Sequence, residues 1–90
     1  MKKYTKPYDS GYTIYTISNC KYCTLIKNNI NKCKIINCDN YIKTLRERDD
    51  FYKFIEKYTI IPYKYFPMVF NKGVFVGGYK EWLNSKNTKI

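Results

Sequence analysis

The stretch Tyr12-Thr13-Ile14-Tyr15-Thr16-Ile17-Ser18-Asn19-Cys20-Lys21-Tyr22-Cys23-Thr24-Leu25-Ile26 changes its hydrophobic period part-way along. Residues 12–17 alternate β-branched and aromatic side chains, as a strand does, whereas Leu25, Ile26 and Ile30 recur at helical spacing. The change of period falls at the two cysteines, so Cys20 is placed at a helix N-terminus. Backbone N–H groups without intrahelical acceptors and the positive end of the macrodipole favour a thiolate there; such sites lower a cysteine pKa from about 8.5 towards about 3.5–7.5. The thiolate is the nucleophile, and Cys23, one turn further on, is placed to resolve a mixed disulfide formed at Cys20. This is the spacing of a reactive dithiol.

Outside that stretch the chain sets limits. Its 90 residues predict one domain over 1–90, with 1–11 a loose lead-in punctuated by Pro7 and Gly11. The 44% hydrophobic content supports a folded core, although eleven tyrosines inflate it. No apolar run approaches the roughly 18 residues of a membrane span, and the start Met1-Lys2-Lys3-Tyr4 leads into no apolar stretch, so the reading is a soluble, cytoplasmic protein in a reducing compartment. Four cysteines, two of them as C-x-x-C at a strand-helix boundary, then fit redox use better than structural bridges. The net charge of +10, from 17 basic and 7 acidic residues, attracts anionic partners at modest ionic strength. The lysines are scattered, however, and a composition rich in lysine, asparagine, isoleucine and tyrosine is what an AT-rich genome encodes. No motif for specific nucleic-acid binding is present.

Further along, helix one is expected over about Cys20 to Lys32. A second strand is expected at Lys34–Cys38, followed by Asp39-Asn40 as a turn or cap signal. Asp49-Asp50 ahead of Phe51, Phe54, Ile55 and Tyr58 predicts helix two; Tyr41, Ile42 and Leu45 suit an earlier turn that Arg46-Glu47-Arg48 leaves unconnected. Pro62 stops any helix. Met68-Val69-Phe70 and Val74-Phe75-Val76 form a hairpin across Asn71-Lys72-Gly73, and a last helix starts at Tyr79 after Gly77-Gly78. The order β-α-β-α-β-β-α predicts an α/β fold with a four-stranded mixed sheet flanked by helices, the dithiol lying at the carboxyl end of the first strand.

That order, with Cys20-x-Tyr22-Cys23, a proline in Phe66-Pro67-Met68-Val69-Phe70 and the double glycine of Gly77-Gly78-Tyr79, resembles the glutaredoxins within the thioredoxin-like folds. The resemblance spans about residues 12 to 84. It implies a cis Pro67 beside the dithiol, and Phe66 backbone groups pairing with the cysteinyl part of glutathione. It also implies that Gly77 and Gly78 let the backbone approach the ligand, with the amides of Gly78, Tyr79 and Lys80 holding the γ-glutamyl carboxylate. Tyr22 is implied to flank the site, as a platform for the ligand more than as core. Catalysis is carried over to Cys20 and Cys23. Glutathione is the reductant, and the clients are glutathionylated or disulfide-containing proteins, with ribonucleotide reductase among them by family analogy. No metal, no membrane and a monomer are expected.

Three positions depart from the family pattern. Lys21 replaces the usual proline after the first cysteine and adds positive charge beside the thiolate. Ile17 replaces a common lysine, which leaves Lys64, three before Pro67, as the candidate cation for the glycyl carboxylate. Lys80 stands where an acid or small polar residue is usual, and Glu81 is the candidate substitute for holding the ligand's α-amino group. Alternatives of other kinds are a thioredoxin-type reductase recycled by a flavoprotein, a glutathione-dependent iron-sulfur cluster binder, and a zinc protein using Cys20, Cys23, Cys33 and Cys38.

Overall fold

The computed structural model describes residues 4–87. In chain order the elements are β1 (Tyr12–Thr16), α1 (Lys21–Asn29), β2 (Cys33–Asn37), a 3₁₀ turn (Asp39–Tyr41), α2 (Leu45–Thr59), β3 (Met68–Asn71), β4 (Val74–Gly77) and α3 (Tyr79–Asn87). The strands form one mixed sheet in the order β2-β1-β3-β4. β1 runs parallel to β2 and antiparallel to β3, and β4 returns antiparallel along β3. The fold is thioredoxin-like, as the family resemblance implied.

Strand side chains alternate between faces, and here the alternation builds two cores. Ile14 of β1 and Val69 of β3 pack with Ile26 of α1 and Trp82 of α3 on one face. Their neighbours Tyr15, Met68 and Phe70 pack with Phe51 and Ile55 of α2 on the other. The apolar stripe read in helix two is thereby explained: Phe51 and Ile55 are fully buried, with Phe54 and Tyr58 partly buried beside them. The sheet is sandwiched between α1 and α3 on one side and α2 on the other.

Local boundaries differ from the sequence expectations for identifiable reasons. Helix α1 stops at Asn29, where Ile30 turns extended, three residues before Lys32. Strand β2 is shifted one residue towards the N-terminus, pairing Tyr12 with Cys33 and Thr16 with Asn37, because parallel pairing with β1 sets its register. Helix α2 starts a full turn earlier than Asp49, at Leu45. Thr44 caps it, its hydroxyl accepting from the Glu47 amide at 3.1 Å, so Thr44-Leu45-Arg46-Glu47 has the pattern of a capping box. It ends at Thr59, where Ile60 takes a left-handed conformation with φ +74°, two residues before Pro62. The hairpin turn is as read: Lys72 and Gly73 both have positive φ, the requirement of the tight turn that matches strand twist.

The lead-in is tied down where it is described. The Tyr15 hydroxyl donates to the Thr5 carbonyl at 2.6 Å, the Tyr8 amide donates to Thr13 Oγ1 at 3.0 Å, and Pro7 is buried. Tyr4 packs edge-on against Tyr41 and Phe51. Among the described residues no helix is long and apolar enough to cross a membrane.

Candidate active site

The register fixes where the site lies. Tyr15 pairs with Met68 and Val69 with Gly77, so the end of β1, the start of β3 and the end of β4 share one edge of the sheet. The loop leaving β1, the residue preceding Met68 and the glycines opening α3 are far apart in the chain and converge at that edge.

Cys20 is the N-cap of α1, and its sulfur accepts from the Cys23 amide at 3.2 Å. The two cysteines are joined as a disulfide, their Cα atoms 5.2 Å apart. Cys20 is partly exposed and Cys23 buried, the asymmetry expected of an attacking and a resolving thiol. Lys21, the first helical residue, is exposed. The loop before Cys20 is held from across the sheet. Both carboxylate oxygens of Asp39 accept from Ser18, one from its amide at 2.9 Å and one from its hydroxyl, and the Cys38 amide donates to the Thr16 carbonyl at 2.8 Å. These Ser18 bonds hold the Asp39 carboxyl below the usual carboxylate range. In the sequence Asp39 reads only as a turn signal, because its partner lies 21 residues away.

The Phe66–Pro67 peptide is cis, and the Phe66 carbonyl oxygen lies 3.7 Å from Cys20 Sγ. Beside them opens a cleft of about 390 Å³. Tyr22, Phe66, Pro67, Gly78, Tyr79 and Lys80, all singled out in the sequence, line it. Tyr22 is 42% exposed and stacks on Tyr79 with ring centroids 5.4 Å apart, so it forms a wall of the cleft and is not core. The sequence reading missed Tyr63 and Tyr65, which also line the cleft. Lys64 does not: its ammonium lies 5.8 Å over the Tyr52 ring. Side chains of an extended segment alternate, so Tyr63 and Tyr65 share one side and Lys64 takes the other. That alternation was the available signal.

Gly77 and Gly78 perform the close approaches their type suggests. Gly77 has φ +129°, and a Cβ there would meet Glu81 Cβ at 2.6 Å; a Cβ on Gly78 would meet the Tyr63 hydroxyl at 2.5 Å. Gly78 leads into α3, its carbonyl accepting from the Trp82 amide at 3.0 Å. Its amide donates to Glu81 Oε1 at 2.8 Å, so a carboxylate of the chain itself already occupies an amide that the resemblance assigns to the ligand.

The two other cysteines stand apart. Cys33 begins β2 and Cys38 follows its end, and both are free thiols. Burial, reinforced by the Asp39 charge, pushes the Cys38 thiol up to about 12, and burial also raises Cys33. Among the described residues no three or more His, Cys, Asp or Glu side chains gather to hold a metal.

No family model and no curated protein sequence matches the chain. Solved structures do. It is similar to glutaredoxin 1 from Francisella tularensis, complexed with cacodylate, at 25% identity and a TM-score of 0.68, over 86% of this chain and 92% of that one. It is similar to wheat glutaredoxin at 17% identity and a TM-score of 0.67, over 87% of this chain and 72% of that one. A buckwheat glutaredoxin–glutathione complex matches at 18% identity and a TM-score of 0.66, over 84% of this chain and 67% of that one. This is a glutaredoxin fold. A glutaredoxin-type scaffold carrying the Cys20–Cys23 pair at its sheet edge supports assignment as a thiol-disulfide oxidoreductase.

Proposed function

We propose that the chain is a glutathione-dependent thiol-disulfide oxidoreductase that reduces protein disulfides and glutathione mixed disulfides. One observation carries this reading: Cys20 Sγ sits 3.7 Å from the carbonyl of Phe66, a residue that lines the cleft running to the first turn of α3. An extended cysteinyl peptide bonded along Phe66 brings its sulfur to Cys20, and a carboxylate further along it meets the first-turn amides of Tyr79 and Lys80. Lys21 and Lys80 add positive charge for this anionic ligand. Lys64 serves its glycyl carboxylate only after leaving the Tyr52 ring.

In the reaction, the Cys20 thiolate attacks the glutathione sulfur of a mixed disulfide. The client's sulfur leaves as a thiolate and takes a proton, and glutathione stays on Cys20. A second glutathione thiolate then attacks that sulfur, releasing oxidised glutathione and restoring the Cys20 thiolate. With a client disulfide, Cys23 attacks the mixed disulfide formed between Cys20 and the client, which frees the client and leaves the Cys20–Cys23 bond for glutathione to reduce.

The test is glutathione-dependent reduction of a small mixed disulfide, coupled to glutathione reductase. Cys20→Ser abolishes turnover, and Cys23→Ser retains it for glutathionylated substrates. Activity that survives Cys20→Ser overturns the assignment, and a wild type active only with a flavoprotein thioredoxin reductase moves it to the thioredoxin-type alternative.

A further inference from the structure

The bond between Glu81 and Gly78 has a consequence for ligand selection. Glu81 is the third residue of α3, and its carboxylate reaches back to the amide of the residue preceding the helix, at 2.8 Å. This is the returning half of a capping box; glycine at the cap has no side chain to supply the other half. The carboxylate is confined there. A Cβ on Gly77 would meet Glu81 Cβ and Cγ at 2.6 and 2.7 Å, so the side chain lies flat across both glycines. The Tyr63 hydroxyl also stands against Gly78, and Tyr63 and Glu81 both line the cleft. The charge is felt: burial first and then Glu81 raise the Tyr63 phenol.

We infer that Glu81 is a specificity-determining residue that acts as an internal competitor, its carboxylate holding the Gly78 amide against the carboxylate of an incoming ligand. The inference rests on the glutathione reading above. Two carboxylates do not share one amide without like-charge repulsion. A ligand carboxylate therefore either binds at Tyr79 and Lys80 with Glu81 still in place, beside an unfavourable charge, or displaces Glu81 and forfeits its bond. Either route weakens the binding of carboxylate-bearing substrates while leaving the exchange chemistry at Cys20 unaltered. Gly78 fits this role because its missing side chain leaves room for the Tyr63 hydroxyl and for the Glu81 carboxylate that takes its amide.

The experiment compares wild type with Glu81→Ala and Glu81→Gln. It measures the dissociation constant of S-methylglutathione, the KM and kcat for a glutathionyl mixed disulfide and for a disulfide lacking carboxylates, and the melting temperature. Glu81→Ala frees the amide and should lower the dissociation constant and the glutathionyl KM by roughly tenfold, the weight of one charge-assisted hydrogen bond. Glu81→Gln keeps an acceptor without the charge and should fall between the two. The KM for the disulfide lacking carboxylates should change less than the glutathionyl KM does, so the ratio of the two reads the carboxylate-specific part of the effect. The melting temperature of Glu81→Ala should fall, because the cap is lost. Tighter ligand binding in a less stable protein is the signature, since a purely structural role would weaken both. A raised dissociation constant in both variants, or an unchanged one, overturns the inference and, if raised, makes Glu81 a direct ligand contact. If wild type binds S-methylglutathione measurably, the glutathione reading stands whichever way the variants move. If none of the three proteins binds it, that reading falls and the inference with it.

Discussion

Replacing Phe51 with alanine tests the α2 side of the core and its link to the site. Phe51 is fully buried, stacks on Tyr41 at 5.6 Å and on Phe66 at 6.3 Å, and meets Tyr15 and Tyr4 at 6.1 and 5.6 Å. Truncating a buried phenylalanine costs about 3–5 kcal/mol, through lost transfer energy and the cavity left behind. A domain of this length holds about 5–13 kcal/mol in total, at about 0.05–0.15 kcal/mol per residue. The variant should therefore lose roughly a quarter or more of its stability, and its melting temperature should fall by at least about 12 °C at about 4–8 °C per kcal/mol. Urea unfolding followed by circular dichroism measures this as a lower midpoint at unchanged slope. Phe54→Ala, on the same helix but only partly buried, is the control and should cost less than half as much. Because the Phe66 ring rests on Phe51 and its carbonyl lies beside Cys20, the folded variant should also exchange thiols more slowly than wild type. A loss below about 1 kcal/mol, or equal losses for Phe51 and Phe54, would show that burial and ring packing do not govern this core as the cost of cavity formation requires.

Three further outcomes are expected. Ile60 holds φ +74° while 84% exposed, so Ile60→Gly gives up little burial and relieves a left-handed penalty of about 1–2 kcal/mol against about 0.5–1 kcal/mol of added chain entropy; a raised urea midpoint confirms this and a lowered one refutes it. The Asp39 carboxyl is held below its unfolded value by Ser18, so the unfolded chain binds its proton first as pH falls. Its stabilisation is complete above about pH 5, declines as the unfolded carboxyl protonates near about 3.9, and is gone below the folded value, so wild type should lose more urea midpoint between about pH 7 and about pH 3 than Asp39→Asn does. Cys38, pushed up to about 12 by burial, should resist alkylation in the native reduced protein at about pH 8 while Cys20 reacts; mass spectrometry of iodoacetamide-treated protein reads the order, and early modification of Cys38 would contradict its burial.

Much of this was legible in the chain. The change of period at Cys20, the apolar stripe of α2 and the Lys72-Gly73 turn are local patterns, and each appears where it was read. The cap Thr44-Leu45-Arg46-Glu47 was equally local and was obscured by the charges of Arg46 and Arg48, which the first turn of α2 accommodates with Arg46 exposed and Arg48 half-buried. The Tyr63, Lys64, Tyr65 alternation was local too, and it turns Lys64 away from the cleft.

By itself the sequence determined the strand-dithiol-helix unit, the order of elements and the residue types around the cysteines, because helical and strand periods, caps and turns depend on neighbours a few positions apart. Only the tertiary structure decided that Asp39 anchors the loop before Cys20, that Tyr63 closes over Gly78, and that Glu81 rather than open solvent meets the Gly78 amide. The first two depend on sheet register and on two segments crossing at one edge. The third spans only three residues, but its weight comes from the cleft into which the fold turns it, where a helix cap and a ligand carboxylate require the same hydrogen-bond donor.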